Sequence, residues 1–461
     1  MRNVIKMATA EFKALYTYRI KVIDEHQVQI HKLNSEHKLQ GELFGKIQRD
    51  KLKEIERLSE DIDNNTSVEE KQFRHLGKCL FDMLFDSIRR QDFVNTYLKV
   101  VRQDRKLLRV ELDIDEYKFP DLAALPWEFM TLSERDQGVA TIWLGTSLNI
   151  AFSRRYTQWY SAQKIKLLPN EKVRIALAVA APNRMGHVEH EEVQERLEEL
   201  ARNEANCIEL LPVVKMANPE TIDQLMEKRP HIFHFIGHGR VDEVAFSDDF
   251  SNHASWVNAS YFSERFSIWR PGVVLLQACE GGKSSKSKEF SGVALEILRQ
   301  QDIPVVVAMQ HEISNDMACR FVHDFYKCLV QGEPVDVATQ KGRYSITQRC
   351  QYGKRDFATP TIFMQVEDGY PFLKTEWEKE LEFDESITLE SITRINNCLD
   401  TLSNTDYTSN LTPEEYLKLV SLNEDVKTFQ KHLNQELRVL VNSAIESLEI
   451  SSINIISDKG D

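Results

Sequence analysis

The sequence predicts an α/β fold in which a mostly parallel sheet is flanked by helices, with an α+β segment before it and an all-helical region after it. Residues 231–237 and 272–278 are short apolar runs bounded by Gly or Pro, which is typical of central strands covered on both faces. From about residue 171, such runs alternate with amphipathic helical stretches, as in a parallel sheet. Beyond residue 370 only helical periodicity remains.

The amino-terminal region contains both strand and helix patterns. Residues 10–24 alternate apolar and polar side chains, which predicts a half-buried strand, and Val28 and Ile30 predict its hairpin partner. Apolar residues at helical spacing among many charges predict an amphipathic helix over residues 42–62, and a further helix is expected over about 70–104. This region is therefore expected to form an α+β extension.

The central region predicts the sheet itself. Strands are expected at 173–181 and 208–214, and helices at 190–203 and 219–228, before the apolar strand at 231–237. Alternation of this kind predicts parallel strands with helices on both faces.

A histidine and a cysteine follow the two central strands. His238 and Cys279 each come directly after an apolar run, and the carboxyl ends of adjacent parallel strands meet at one edge of a sheet. A thiol becomes nucleophilic when a neighbouring imidazole takes its proton, so this pair predicts acyl transfer. The backbone N–H groups of Gly239 and Cys279 are the candidate donors to the oxyanion. The alternative is a small buried cysteine and a core histidine.

The residues around the cysteine strengthen the catalytic interpretation. Residues 277–281 read Gln-Ala-Cys-Glu-Gly, which resembles the Gln-Ala-Cys-x-Gly signature of caspases, with a histidine 41 positions upstream of the cysteine. Beyond this string, the chain resembles the CHAT proteases, the bacterial branch of the caspase and separase group. The similar blocks are residues 108–130, with a Leu-Pro-Trp-Glu core at 125–128, residues 290–338 and residues 356–364.

The resemblance covers roughly residues 10–368 and implies a domain organisation. Residues 1–170 would form the amino-terminal part of a CHAT-type region, and residues 171–368 a caspase-like catalytic core. Residues 369–461 lie outside the resemblance and are expected to form an acidic helical domain for regulation or docking. The family implies an endopeptidase that cuts proteins, often in bacterial antiphage or cell-death systems, and that stays inactive until a partner or ligand rearranges its loops.

The substrate pocket departs from one family pattern. Relatives that cut after lysine or arginine carry an acidic residue two positions before the cysteine, where this chain has Gln277. An amide has no charge to pair with a basic side chain, so specificity stays open, with Gln277 and Glu280 as the pocket candidates. His234 lies four residues before His238 and shares its strand face, where it either flanks the site or belongs to the core.

Motifs for phosphate and zinc are incomplete, so no cofactor and no metal are expected. A phosphate loop ending near Gly282 would need a glycine at Gln277, and a zinc-protease helix starting at His190 would need a histidine at Gln194. The cysteines show no paired two-residue spacing. They are Cys79, Cys207, Cys279, Cys319, Cys328, Cys350 and Cys398.

Charge and hydropathy restrict the setting of the 461-residue chain. The net charge is −14, and residues 371–461 carry 8 basic against 18 acidic side chains, which argues against direct binding to nucleic acid. No signal-peptide pattern and no apolar run near the roughly 20 residues that span a bilayer are present. Scattered cysteines fit a reducing cytoplasm. Helices are expected at 388–403, 412–421 and 423–450.

The sequence thus predicts a cytoplasmic cysteine endopeptidase acting on protein substrates, with Cys279 as nucleophile and His238 as general base and then acid. A regulatory protein partner is expected to bind the carboxyl-terminal helical domain, and no membrane is involved. The polar loop at 281–289 is a candidate for gating or self-cleavage. The alternative is a silent protease-like scaffold that acts as a signalling adaptor, and the missing phosphate loop disfavours a nucleotide switch.

Overall fold

A mixed sheet of eleven strands forms the centre of the part of the chain that the computed structural model describes. The described residues are 16–374 without a set of short gaps, and all of them except Lys374 belong to a unit that ends at Leu373. The gaps are residues 65–67, 134–140, 157–161, 169, 184, 186–187, 241, 248–252, 279–290 and 312. The helices predicted beyond residue 374 and the predicted loop at 281–289 lie outside the described residues.

The strands have the following bounds. They are β1 (Tyr16–Asp24), β2 (Gln27–Leu33), β3 (Leu39–Lys46), β4 (Leu108–Asp113), β5 (Thr131–Leu132), β6 (Ile142–Trp143), β7 (Ile150–Arg155), β8 (Ile165–Leu167), β9 (Val173–Val179), β10 (Ile208–Leu210), β11 (Ile232–Gly237), β12 (Gly239–Arg240), β13 (Glu243–Ser247), β14 (Ala254–Asn258), β15 (Val273–Ala278), β16 (Val305–Met309), β17 (Pro360–Met364) and β18 (Phe372–Lys374).

The helices are α1 (Leu52–Asn64), α2 (Glu70–Leu84), α3 (Ser87–Tyr97), α4 (Pro120–Ala123), α5 (Glu191–Asn203), α6 (Pro219–Glu227), α7 (Ala259–Glu264), α8 (Ser291–Gln301), α9 (Asn315–Val330) and α10 (Val335–Cys350). Short helical turns lie at Arg49–Lys51, Leu98–Gln103, Trp127–Phe129, Arg265–Ser267 and Arg355–Ala358.

The large sheet has the order β10-β9-β11-β15-β16-β17-β7-β4-β1-β2-β3. The strands from β10 to β16 are mutually parallel, and so are those from β17 to β1. The two groups meet in the antiparallel pair β16 and β17, and β2 and β3 close one edge as antiparallel strands. The mostly parallel sheet expected from the sequence is confirmed. A single sheet contains strands from both sides of residue 170, where the sequence suggested a domain boundary.

Helices cover both faces of β11, which alternates its side chains between them. His234 stacks on Tyr326 of α9, with ring centroids 6.0 Å apart. Phe233 and Phe235 point to the other face and contact Phe262 of α7, at 6.2 and 5.5 Å between centroids. Every residue of β11 is buried, as the apolar sequence predicted. Within the described residues, no helix is long and apolar enough to cross a bilayer.

In the amino-terminal region the expected hairpin is present, but the two helices expected over residues 42–62 and 70–104 differ from those in the structure. The hairpin of β1 and β2 is confirmed, with Val22 paired to Val28. The helix expected over 42–62 is wrong in its first part, because residues up to Lys46 belong to β3. A Cβ atom added at Gly45 would lie 2.9 Å from a methyl group of its register partner Val28, so the glycine allows a close approach of two strands.

The helix expected over 70–104 is interrupted between α2 and α3. α2 ends at Leu84, and the carboxylate of Asp86 accepts hydrogen bonds from the backbone N–H groups of Ile88 and Arg89, each at 3.1 Å. An aspartate that satisfies the first free N–H groups of a helix is a strong start signal. Asp86 therefore marks the start of a separate helix, α3, where the apolar pattern alone predicted one continuous helix.

Glu128, the last residue of the Leu-Pro-Trp-Glu block, joins three parts of the sheet. Its fully buried carboxylate accepts two hydrogen bonds from Arg154 at 3.0 and 2.6 Å, one from Gln310 at 2.9 Å and one from Thr361 at 2.6 Å. Burial alone would raise the pKa of Glu128, but the Arg154 guanidinium outweighs it and holds that pKa at about 2. The block therefore has a structural role, connecting β7, β17 and the residue after β16.

Candidate active site

The carboxyl ends of β11 and β15 lie side by side. The two strands are adjacent and parallel, and their last register pair is Gly237 with Ala278. His238 and Cys279 are the residues that directly follow this pair in the chain. The expectation that the two strands are parallel neighbours is confirmed. Cys279 and Glu280 lie outside the described residues, so their roles stay predictions.

His238 is held between two pieces of regular structure. It follows β11 and precedes β12, which pairs with β13 in a separate three-stranded antiparallel sheet. The carbonyl oxygen of His238 accepts the N–H of Ala245 at 3.0 Å, and Gly239 pairs with Val244. Only 5% of the His238 surface is exposed. The backbone on both sides of this imidazole is therefore fixed by hydrogen bonds.

Gln277 and His234 form a buried polar pair below the ends of these strands. Both side chains are fully buried, and the Nε2 atom of His234 lies 3.2 Å from the Oε1 atom of Gln277. An amide oxygen only accepts, so His234 donates from Nε2. Burial lowers the pKa of His234 to about 3, although the hydrogen bond to Gln277 acts in the opposite direction. His234 thus belongs to the core, and the pocket role of Gln277 stays a prediction.

A third strand brings polar residues to the same edge, which the sequence reasoning missed. β16 is parallel to β15, with Leu276 paired to Ala308, and both Cys279 and His311 come three positions after that pair. His311 is 7% exposed, and its neighbour Gln310 donates to Glu128. The apolar run of β16 is followed directly by polar residues, as the run of β11 is by His238 and that of β15 by Cys279, and that repeated pattern was the available signal.

A cluster of possible metal ligands lies away from these strand ends. Atoms of Glu54, His75 and Cys79 that could bind a metal lie within 4.8 Å of one another, on α1 and α2. His75 and Glu54 are 3.0 Å apart, as in a hydrogen bond, and both are partly exposed. Burial, and then the Glu54 charge, raise the pKa of Cys79 to about 11. Hydrogen bonding accounts for this arrangement without a metal.

The comparison with known families follows from these elements. The family model described as "CHAT domain" matches residues 74–377, which include most of α2, the Leu-Pro-Trp-Glu block and all of β9 to β17. The chain belongs to the CHAT domain family. The three blocks on which the sequence-based resemblance rested all lie within the CHAT region, and that resemblance is confirmed.

Solved structures give weaker similarity to the CHAT protein. The Arg-specific cysteine proteinase gingipain R aligns with a TM-score of 0.39 and 11% identity, covering 62% of this chain and 68% of that one. A Saccharomyces cerevisiae separase–securin complex gives 0.43 and 10%, covering 78% and 30%. The complex of Porphyromonas gingivalis RgpB pro- and mature domains gives 0.38 and 12%, covering 69% and 77%. No curated protein matches the chain. At these identities no residue role is transferred from them.

Proposed function

We propose that this CHAT protein is a cysteine endopeptidase in which Cys279 is the nucleophile and His238 the general base and then the acid. One observation carries the proposal: the two residues directly follow Gly237 and Ala278, which are register partners on adjacent parallel strands. A nucleophile and a base must lie within hydrogen-bond reach, and neighbouring strand ends are where α/β sheets place such groups.

The chemistry follows from the two side chains. His238 takes the proton of the Cys279 thiol, and the thiolate sulfur forms a bond to the carbonyl carbon of the scissile peptide. His238 then returns the proton to the nitrogen of the leaving amine as the C–N bond breaks, which leaves a thioester. Water hydrolyses the thioester by the same base and restores the thiol. The N–H groups of Gly239 and Cys279 would stabilise the oxyanion in both steps.

The proposed substrates are proteins, and Gln277 and Glu280 are the candidates for the pocket that selects the residue before the cut. Gln277 carries no charge, so it does not provide a carboxylate for a lysine or arginine side chain. Its amide is fully buried and accepts a hydrogen bond from His234. Direct contact between Gln277 and a substrate would therefore need a rearrangement of this region.

Burial also supports activation by a partner or a ligand. His238 exposes only 5% of its surface, so a peptide reaches it only after a neighbouring segment moves. The loop at 281–289 follows the nucleophile in the chain and is the proposed gate. The acidic residues 369–461 would bind a regulatory protein. We place the enzyme in the cytoplasm, in a bacterial defence or cell-death pathway.

The experiment is mass spectrometry of new protein amino termini in a host lysate to which the products of neighbouring genes are added. Wild type is compared with Cys279→Ala and His238→Ala, and Cys207→Ala serves as a control for loss of a partly exposed thiol. Cuts made by wild type and Cys207→Ala alone would support the peptidase. The same cuts in Cys279→Ala would contradict it. If no protein makes cuts and a covalent thiol probe does not label Cys279, the signalling scaffold becomes the better account.

A further inference from the structure

We propose that His234 is a positioning residue for the nucleophile, because its Nε2–H group fixes the Gln277 side chain two residues before Cys279. This inference rests on the proposed function and adds to it a residue that touches neither substrate nor reacting atoms. His234 would act on Cys279 only through Gln277 and the backbone of β15.

The strand register gives the first argument. The register partner of His234 on β15 is Leu275, two residues before Gln277. The hydrogen bond between His234 and Gln277 is therefore a diagonal contact between neighbouring strands. Side chains two residues apart along a strand share a face of the sheet. His234 and Gln277 therefore share a face of the sheet, and in the chain they precede His238 by four residues and Cys279 by two.

Burial gives the second argument. His234, Gln277 and Tyr326 are all fully buried, and the imidazole stacks on the Tyr326 ring. Among the described residues, the Nδ1 atom of His234 and the hydroxyl of Tyr326 have no hydrogen-bond partner. Buried polar atoms without partners destabilise a fold, and an apolar side chain at residue 234 would avoid this cost. The hydrogen bond from His234 to Gln277 therefore explains why residue 234 is a histidine and not an apolar residue.

Charge gives the third argument. Burial keeps the pKa of His234 at about 3, so the imidazole is neutral at ordinary pH and has a single N–H. That N–H points to Gln277, which fixes the tautomer and the orientation of the amide. With the amide fixed, the Gln277 side chain has a single orientation near the carboxyl end of β15. Loss of the hydrogen bond would remove this constraint on the Gln277 amide, two residues before Cys279 in the chain.

The test measures how fast iodoacetamide alkylates Cys279 in the full chain, read by mass spectrometry of the peptide, because this needs neither substrate nor activator. In His234→Phe the ring stays and the donor is lost, and we expect the alkylation rate to fall about tenfold. His234→Gln keeps a donor near the Nε2 position and should recover most of the rate. Tyr326→Phe removes a hydroxyl from the same cluster without touching the hydrogen bond and should leave the rate unchanged.

A double variant separates positioning from folding. His234→Phe with Gln277→Leu replaces both partners by apolar groups, which should restore the thermal midpoint that His234→Phe alone lowers, while alkylation stays slow. Recovery of both the thermal midpoint and the Cys279 alkylation rate in the double variant would overturn the proposal. An unchanged alkylation rate in a folded His234→Phe protein would also overturn it. If wild-type Cys279 reacts no faster than Cys207, the proposed peptidase itself is in error.

Discussion

Gly237 and Ala278 pair in register at the carboxyl ends of β11 and β15, and the residue that follows each of them in the chain is a candidate catalytic group. Residues 41 positions apart in sequence are thereby neighbours along one edge of the sheet. The pairing depends on two strands in the centre of the sheet that are apolar except for His234 and Gln277 and are buried. The same edge receives the residues after β16, so three parallel strands contribute to it.

Substitution of either member of the dyad should remove proteolysis. We expect Cys279→Ala and His238→Ala each to lower cleavage by at least about 10³-fold. Cys279 supplies the sulfur that attacks the peptide and His238 takes the proton of its thiol, so loss of either one stops the same step. Thermal midpoints should stay close to that of wild type, and His323→Ala, a largely exposed histidine on α9, should cleave normally. Normal cleavage by either dyad variant would show that its residue has been misassigned.

His234 should make stability depend on pH. The pKa of His234 is about 3 in the folded protein and about 6.5 in the unfolded chain. Below about pH 6.5 the unfolded state therefore binds a proton that the folded state does not bind, and stability falls. Between about pH 7 and pH 5, wild type should lose on the order of 2 kcal/mol more unfolding free energy than His234→Gln. Urea titrations at both pH values measure the difference. Parallel losses in the two proteins would mean that His234 is not held neutral.

Glu128 should be essential to stability. In Glu128→Gln the carboxylate is lost and the buried Arg154 guanidinium has no counter-charge, which should destabilise the fold by about 3–5 kcal/mol. The matched control is Glu70→Gln, which breaks an exposed helix pair with Arg74 that is worth only about 0.3–0.5 kcal/mol. Urea unfolding compares the two. Equal, small losses would contradict the structural role of the Leu-Pro-Trp-Glu block.

Gly77 should not tolerate alanine, although alanine favours helices. A Cβ atom at this position of α2 would lie 2.2 Å from the carbonyl oxygen of Phe129 and 2.7 Å from a methyl group of Thr131. The clash should outweigh the gain of about 1 kcal/mol in helix propensity, giving a net loss of about 1–3 kcal/mol in unfolding experiments. Gly353→Ala, whose nearest atom would be 3.5 Å away, should be nearly neutral. A stabilised Gly77→Ala protein would refute the packing.

Local sequence patterns were sufficient for elements with strong periodicity or clear boundaries. β11 and β15 follow from apolar runs, and α6 begins at Pro219 with Asn218 as its cap, close to the expected helix at 219–228. β3 was missed because Leu43 and Ile47 also fit helical spacing. The glycines at 41 and 45, four residues apart, were the better signal, since glycine in a strand often marks close backbone approach.

Contacts between distant residues could not be predicted in this way. Glu128 binds side chains that lie 26, 182 and 233 positions further along the chain, and no periodic pattern relates such residues. The hydrogen bond between His234 and Gln277 spans 43 positions and depends on a strand register that only the assembled sheet defines. The sequence identified the adjacent strands that precede the candidate site residues, but not the buried polar groups beside them.

The most direct test of the dyad is the pH dependence of Cys279 alkylation in wild type and His238→Ala, followed for each cysteine peptide in the full chain. An imidazole next to the thiol should make Cys279 the fastest-reacting cysteine near neutral pH, and loss of His238 should slow it and move its reaction to higher pH. If Cys279 reacts like Cys207 in wild type, or keeps its rate in His238→Ala, the two residues do not form a catalytic pair.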